Sequence, residues 1–109
     1  MAFQHTALAE GAWQKLSLRE QLANIGSEVG RAARAENKDK KMYDGACSRA
    51  LELIDLTMAD PRWRLRLKEI SRARELLCRA FLGDNTYHTT LADLERYFFH
   101  FALAVRLRR

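Results

Sequence analysis

The sequence predicts an all-α protein, an up-down-up-down antiparallel four-helix bundle preceded by a short N-terminal arm. Three observations support this: apolar residues recur at steps of three and four, the connections between periodic segments are short, and capping residues stand at the segment ends. A short connection can join only antiparallel neighbours, which sets the order of the helices. The 109 residues suffice for one modest core. We therefore expect an arm over residues 1-16 and one domain over residues 17-109.

The first long helix is predicted to begin after Ser17. Ser17 and Glu20 have the spacing of a capping box, in which each side chain bonds the backbone amide of the other residue. Gly26 and Gly30 are predicted to let a neighbouring helix approach closely. The polar run 36–41 is the predicted linker to the next helix. The inner stripe of the first helix consists of Leu18, Leu22, Ile25, Val29 and Ala33.

The second helix is predicted to end near Ala59, because Asp60 and Pro61 follow it. Asp is a favoured N-cap and Pro a favoured first helical residue, so this dipeptide also opens the third helix. The third helix is predicted to run from Pro61 to Leu82, with Gly83 closing it. The inner positions are Met42 or Tyr43, Ala46, Ala50, Leu53, Ile54 and Thr57 in the second helix, and Trp63, Leu67, Ile70, Leu77 and Phe81 in the third.

The fourth helix is predicted to begin at the capping pair Thr90 and Asp93. Its apolar surface is broader than the interior of one bundle requires. The inner stripe is Leu91, Leu94, Phe98, Phe101 and Val105, and the residues that widen it are Tyr97, Phe99, Ala102 and Leu103. We predict that Tyr97, Phe99 and Leu103 form an interface with another subunit.

Composition excludes several classes of protein. No apolar stretch approaches the roughly 20 residues needed to cross a bilayer, and the first residues do not resemble a signal peptide, so we expect no membrane association and a cytoplasmic protein. Cys47 and Cys78 fall within helical patterns and are expected to be reduced thiols. Neither the cysteines nor the three histidines have paired ligand spacing, so we predict no metal site. Nucleotide-binding and nucleophile motifs are missing, so we predict no cofactor.

The charge distribution is the strongest functional signal. The chain carries a formal charge of +5, and the third helix alone holds seven basic and two acidic residues. Arginine suits bidentate phosphate contacts, so this surface predicts nucleic-acid binding. The alternative is that these side chains form solvated ion pairs along the helix. The predicted nucleic-acid-binding residues are Arg62, Arg64, Arg66, Lys68, Arg72, Arg106, Arg108 and Arg109.

Arg74 falls among the apolar positions of the third helix and should therefore pair with a carboxylate from a neighbouring helix. The candidate partners are Glu28, Glu52 and Asp55. The loop between the third and fourth helices is a second polar site, for which a turn that locks the helix pair is the simpler role. Its candidate residues are Asp84, Asn85, Tyr87 and His88.

One enzymatic alternative rests on Arg96 and His100, which lie four apart on one face of the fourth helix. An Arg and a His so placed could hold a phosphate and move a proton during RNA cleavage. The pair is similar to the Arg-x4-His element of HEPN-type helical ribonucleases, but here only three residues intervene. This spacing disfavours a helical ribonuclease.

The stretch 24–31, Asn-Ile-Gly-Ser-Glu-Val-Gly-Arg, is followed by Arg-Ala-Leu-Glu-Leu at 49–53. Together they resemble the small bacterial four-helix-bundle proteins encoded in intervening sequences of 23S ribosomal RNA genes, whose relatives include the accessory protein of diversity-generating retroelements. Asn24, Ile25, Glu28 and Arg31 match that family's Asn-Ile-Ala-Glu-Gly-x-x-Arg element with altered spacing. The resemblance implies a ring-like homo-oligomer that binds nucleic acid as an accessory to another protein, such as a reverse transcriptase. It implies no catalytic residues.

These observations predict a non-enzymatic, basic helical-bundle accessory module that binds nucleic acid, a protein partner or both as a homo-oligomer. The alternatives are a protein-protein interaction scaffold without nucleic-acid binding and, less favoured, the helical ribonuclease.

Overall fold

The structure is a computed structural model that describes residues 11–83 and 89–107, and all regular structure within these ranges is helical. The four α-helices are α1 (Leu18–Ala35), α2 (Lys40–Met58), α3 (Leu67–Phe81) and α4 (Leu91–Leu107). Short 3-10 helices over Trp13–Lys15 and Pro61–Arg66 precede α1 and α3. The prediction of an all-α fold made of four packed helices is confirmed. No helix in the described ranges is long and apolar enough to cross a membrane.

Helix α1 is the centre of the packing. It contacts α4 and α2 along its length, whereas α3 lies mainly on α2 and barely touches α4. The fully buried side chains of the core include Leu22, Ile25, Ile54, Ile70 and Phe98, which come from all four helices. Because α3 and α4 are not closely packed against each other, the surface between them is open.

The two glycines of α1 lie where α4 crosses it, which confirms the predicted close approach. A Cβ atom added at Gly26 would lie 3.1 Å from Cβ of Phe98, and one at Gly30 would lie 2.2 Å from a carboxylate oxygen of Glu95. The Glu95 side chain can move aside, but the Phe98 Cβ is fixed to the α4 backbone. A side chain at position 26 would therefore force the two helices apart, so Gly26 permits their close packing.

Capping signals in the sequence correctly located most of the helix ends. The Ser17–Glu20 capping box is present, with both reciprocal hydrogen bonds formed. Thr90 and Asp93 make the same exchange ahead of α4. The left-handed φ of 76° at Gly83 is consistent with its predicted place after α3. The predicted linker 36–41 was too long, because Asp39 caps α2 through the amide of Met42 and the helix begins at Lys40.

The third helix differs from the prediction in its first turns. Its opening segment is a 3-10 helix, and Trp63 has non-helical backbone angles (φ −103°, ψ 18°). Leu67, predicted to be inner, is the first residue of α3 after the kink and is 41% exposed. The buried stripe of α3 is Ile70, Ala73 and Leu77, so Ala73 is inner although it was not predicted to be. Met42 is also exposed, and Tyr43 takes the inner position of that turn. Ala102 is buried in the core rather than part of a widened surface.

The core extends into the segment that the sequence assigns to the arm. Trp13 is 1% exposed and packs with the core residues of the helices. The two cysteines are free thiols, as expected. Burial raises the pKa of the Cys47 thiol and raises that of the adjacent Tyr43 to about 12, so both groups are neutral at physiological pH.

Candidate nucleic-acid interface

The basic segment, residues 62–79, begins at a network of mostly buried polar groups, which we call the junction. The Trp13 indole N–H donates to Thr57 Oγ1 at 3.0 Å, and the Trp63 indole N–H donates to Gln21 Oε1 at 3.0 Å. The Gln21 amide nitrogen donates to the Trp13 carbonyl at 2.9 Å and to Asp60 Oδ2 at 3.5 Å. These bonds tie the segment before α1 to the end of α2 and the start of the third helix. The junction consists of Trp13, Gln21, Thr57, Asp60, Arg62 and Trp63.

Asp60 is the charged centre of the junction and is only 4% exposed. Its carboxylate accepts the backbone N–H of Arg62 at 3.0 Å and the guanidinium of the same residue, with Nη2 at 2.7 Å from Oδ2. The Arg62 guanidinium is the main reason that the pKa of Asp60 lies below its usual value. Asp60 thus acts both as the predicted N-cap and as one half of an ion pair.

Arg62 is held by several partners at once. Besides the Asp60 carboxylate, its Nη2 donates to the Leu16 carbonyl at 2.8 Å, and its Cζ lies 4.4 Å from the centre of the Trp63 ring. The hydrogen-bonded Asp60 carboxylate raises the pKa of Arg62 above its usual value. Arg62, predicted from the sequence as a nucleic-acid contact, is therefore already engaged by the fold.

Three further arginines of the basic segment also pair with carboxylates. Arg74 Nε lies 2.6 Å from Asp55 Oδ1, so one of the predicted partners is confirmed. The other two pair with acidic residues of α3 itself, Arg66 with Glu69 at 3.6 Å and Arg79 with Glu75 at 2.8 Å. Ion pairing thus accounts for four of the seven basic side chains, counting Arg62.

The remaining three are Arg64, Lys68 and Arg72, which follow one another at steps of four residues. All three are exposed, and none has a carboxylate within ion-pairing distance in the described part of the chain. Lys68 and Arg72 lie one turn apart on the same side of α3, about 6 Å along its axis. We call these three residues the unpaired cations. Their positive charge is directed to solvent.

Lys68 and Arg72 form part of the wall of an open groove between α3 and α4. The groove has a volume of about 780 Å³. It is lined by Lys68, Glu69, Ser71, Arg72 and Glu75 of α3 and by Tyr97, His100 and Phe101 of α4. We call it the α3–α4 groove. It brings two of the unpaired cations next to aromatic rings.

The α4 side of the groove is aromatic. The ring centres of Tyr97 and Phe101 are 6.1 Å apart at an interplanar angle of 67°, and both rings are half-buried. Burial raises the pKa of Tyr97, an effect that Glu69 reinforces and Arg72 opposes, so the phenol is neutral at physiological pH. The groove therefore presents uncharged rings beside two cations.

The combination of cations and rings was not predicted from the sequence. Phe101 was placed in the inner stripe and Tyr97 in a subunit interface, and neither was linked to the third helix. The four-residue spacing of Arg64, Lys68 and Arg72 was the available signal. It was obscured by the four arginines between and beside them, whose pairing depends on the folded arrangement.

The three residues predicted as an interface lie on different sides of α4. Tyr97 lines the groove, whereas Phe99 (41% exposed) and Leu103 (51% exposed) lie one turn apart on another side. Phe99 and Leu103 thus form an apolar surface separate from the groove.

The last three of the predicted nucleic-acid-binding arginines are described only in part. Arg106 lies in the last turn of α4, while Arg108 and Arg109 lie outside the described residues. The predicted loop residues Asp84, Asn85, Tyr87 and His88 also lie outside them.

Arg96 and His100, the pair on which the ribonuclease alternative rests, have different surroundings. Arg96 bonds the carboxylate of Asp93, whereas His100 is exposed and lines the groove. Within the described ranges, no group of three or more His, Cys, Asp or Glu side chains is placed to hold a metal ion.

Three residues from the two stretches that carry the family resemblance, Glu28, Arg31 and Arg49, form an ion-pair cluster. Glu28 is buried and accepts from Arg31 at 2.9 Å and from Arg49 at 3.0 Å, which joins α1 to α2. No family model, curated protein or solved structure matches this chain. Function is therefore inferred from the geometry of the basic segment and the groove.

Proposed function

We propose that this protein is a non-enzymatic accessory module that binds nucleic acid through Arg64, Lys68 and Arg72. The observation that carries the proposal is that these three cations have no ion-pair partner in the described part of the chain, next to four neighbours that have one. A phosphate that binds to an unpaired guanidinium or ammonium need not displace a carboxylate of the protein. Such contacts also release counterions from the nucleic acid, which favours binding at low salt.

The test is a titration of labelled single-stranded and double-stranded RNA and DNA with the protein, followed by fluorescence anisotropy over a series of salt concentrations. We expect binding that weakens steeply as salt rises. The double variant Lys68→Ala, Arg72→Ala should bind about tenfold more weakly, and each lost phosphate contact should reduce the log–log salt slope by about 1.

The matched control is the double variant Lys38→Ala, Lys41→Ala. Both lysines are exposed and lie near the start of α2, outside the basic segment. This control removes the same net charge, so it should keep nearly all of the affinity if binding is localised. Absence of salt-dependent binding to every nucleic acid would overturn the proposal, and an equal loss in both double variants would remove the assignment to this site.

A second function, self-association or binding of a protein partner, is favoured by the exposed apolar pair Phe99 and Leu103. Burial of such a pair between subunits would stabilise a homo-oligomer. Sedimentation of the wild type should show association that Leu103→Glu abolishes. Leu82→Glu is the control, because Leu82 is 85% exposed and lies outside this surface. A wild type that is monomeric at all concentrations would remove self-association.

We further propose that the helices follow an up-down-up-down antiparallel order after an N-terminal arm. We also propose that the protein is cytoplasmic and related to the accessory proteins named above. The ribonuclease alternative is less favoured because Arg96 is engaged with Asp93. Cleavage of RNA by the wild type that is lost in a folded His100→Ala variant would restore it.

A further inference from the structure

The α3–α4 groove combines two chemical surfaces that a single-stranded nucleic acid needs. One wall carries Lys68 and Arg72, and the other carries the half-buried rings of Tyr97 and Phe101. Binding sites for single strands pair a positive track for the phosphates with aromatic rings on which bases stack. The groove provides both within one volume of about 780 Å³, which is in the size range of small-molecule sites.

Two cations of the groove remain uncompensated, although two carboxylates also line it. Glu69 is engaged with Arg66, and Glu75 is engaged with Arg79. Each of these ion pairs is neutral overall, which leaves the charges of Lys68 and Arg72. A neutral aromatic ligand could interact with these two cations only through weak cation–π contacts, whereas a ligand with both a phosphate and a ring would form ion pairs on one wall and stack on the other.

The base faces of a duplex are stacked on each other and cannot reach the rings of Tyr97 and Phe101. A duplex would contact only the cations of the α3 wall. An unpaired nucleotide has a free π-face, and stacking on an aromatic side chain is available to every base. A groove with this lining would favour unpaired bases over a duplex without selecting a sequence.

We propose that the α3–α4 groove binds single-stranded nucleic acid, with one or two unpaired bases stacked on Tyr97 and Phe101 and the adjoining phosphates on Lys68 and Arg72. This inference rests on the proposed function and adds to it the class of nucleic acid. It assigns to Tyr97 a role in binding bases instead of the subunit interface expected from the sequence.

The first experiment uses the wild-type protein and two strands of about 12 nucleotides, one intact and one with abasic sites in place of the central nucleotides. Both strands carry the same phosphates, so the cations alone cannot distinguish them. We expect the abasic strand to bind about tenfold more weakly at a fixed salt concentration. Equal affinity for the two strands would overturn the inference, and separate RNA and DNA series would show which sugar is preferred.

The second experiment compares Tyr97→Leu with Tyr97→Phe. The leucine variant keeps an apolar side chain but loses the ring, so it should bind the intact single strand about tenfold more weakly with an unchanged salt slope. The phenylalanine variant keeps the ring and should bind within about twofold of the wild type. Tyr43→Leu is the matched control, since it makes the same substitution at a half-buried tyrosine of α2 outside the groove.

Two outcomes separate this inference from the proposed function. If Tyr97→Leu binds single strands as the wild type does, while Lys68→Ala, Arg72→Ala still weakens binding, the groove inference fails and the proposed function stands. If no nucleic acid binds in a salt-dependent manner, both fail. Circular dichroism checks that each variant is folded, and the abasic comparison on the wild type decides the question should Tyr97→Leu not fold.

Discussion

Arg62 and Arg72 belong to the same basic segment, yet the fold uses them in opposite ways. The Arg62 guanidinium binds a buried carboxylate and a backbone carbonyl and lies over an indole ring. Arg72 lies at the wall of an open groove with no carboxylate partner in the described part of the chain. The difference teaches that a cluster of arginines is not one functional unit. Each cation must be assigned by its partners.

The largest effect should come from breaking the junction at its centre. Asp60→Ala removes an N-cap and leaves the Arg62 guanidinium and the Gln21 amide without their shared acceptor. We expect the free energy of unfolding to fall by about 3 kcal/mol, measured by chemical denaturation. Asp55→Ala, which removes an exposed carboxylate, is the control and should cost about 0.5 kcal/mol. Equal losses in the two variants would contradict the central role of Asp60.

Acid should weaken the same region. The pKa of Asp60 is lowered in the folded protein, chiefly by Arg62, so its charged form stabilises the fold above the unfolded-state pKa of about 3.9. That contribution is lost as the pH falls through the folded-state pKa. The stability difference between wild type and Asp60→Asn should therefore shrink between about pH 5 and about pH 2 in denaturation curves. A difference that is constant over this range would show that the charge of Asp60 has no role.

A smaller loss should follow from Arg62→Ala. The buried carboxylate keeps its backbone hydrogen bond but loses its ion pair, and we expect the free energy of unfolding to fall by about 1 kcal/mol in chemical denaturation. Affinity for nucleic acid should stay within about twofold of the wild type, because this guanidinium is already engaged. A loss of affinity equal to that of Lys68→Ala, Arg72→Ala would contradict the separate roles of Arg62 in the fold and of Lys68 and Arg72 in binding.

The smallest effect should be on the stability of Lys68→Ala, Arg72→Ala. Neither side chain pairs with a carboxylate in the described part of the chain, so we expect the free energy of unfolding to change by no more than about 0.5 kcal/mol. Thermal denaturation monitored by circular dichroism measures this change. A loss as large as that of Arg62→Ala would mean that these cations stabilise the fold instead of serving a ligand.

The helix ends were predictable because their signals are local. Ser17 with Glu20, Asp60 with Pro61, and Gly83 each act within a few residues, and the folded chain keeps all of them. The inward face of the third helix was predicted less well. Periodicity assumes one continuous helix from Pro61, whereas the non-helical Trp63 interrupts it and α3 begins only at Leu67, which is exposed.

The site required information that periodicity does not contain. Which arginines pair depends partly on other helices, as the bond between Arg74 and Asp55 of α2 illustrates. The burial of Trp13 was missed because the segment around it has no period and is held by tertiary hydrogen bonds. The groove arises because α3 lies mainly on α2 and is not closely packed against α4.

The junction also has a spectroscopic consequence. The chain contains two tryptophans, Trp13 and Trp63, and both indoles donate hydrogen bonds within the junction. The aromatic residues of the groove wall are tyrosine and phenylalanine, with a histidine beside them. Light absorbed selectively by indole therefore reports on the region where Arg62 is bound, so tryptophan emission follows the structural arginine while the lining of the groove contributes no indole signal.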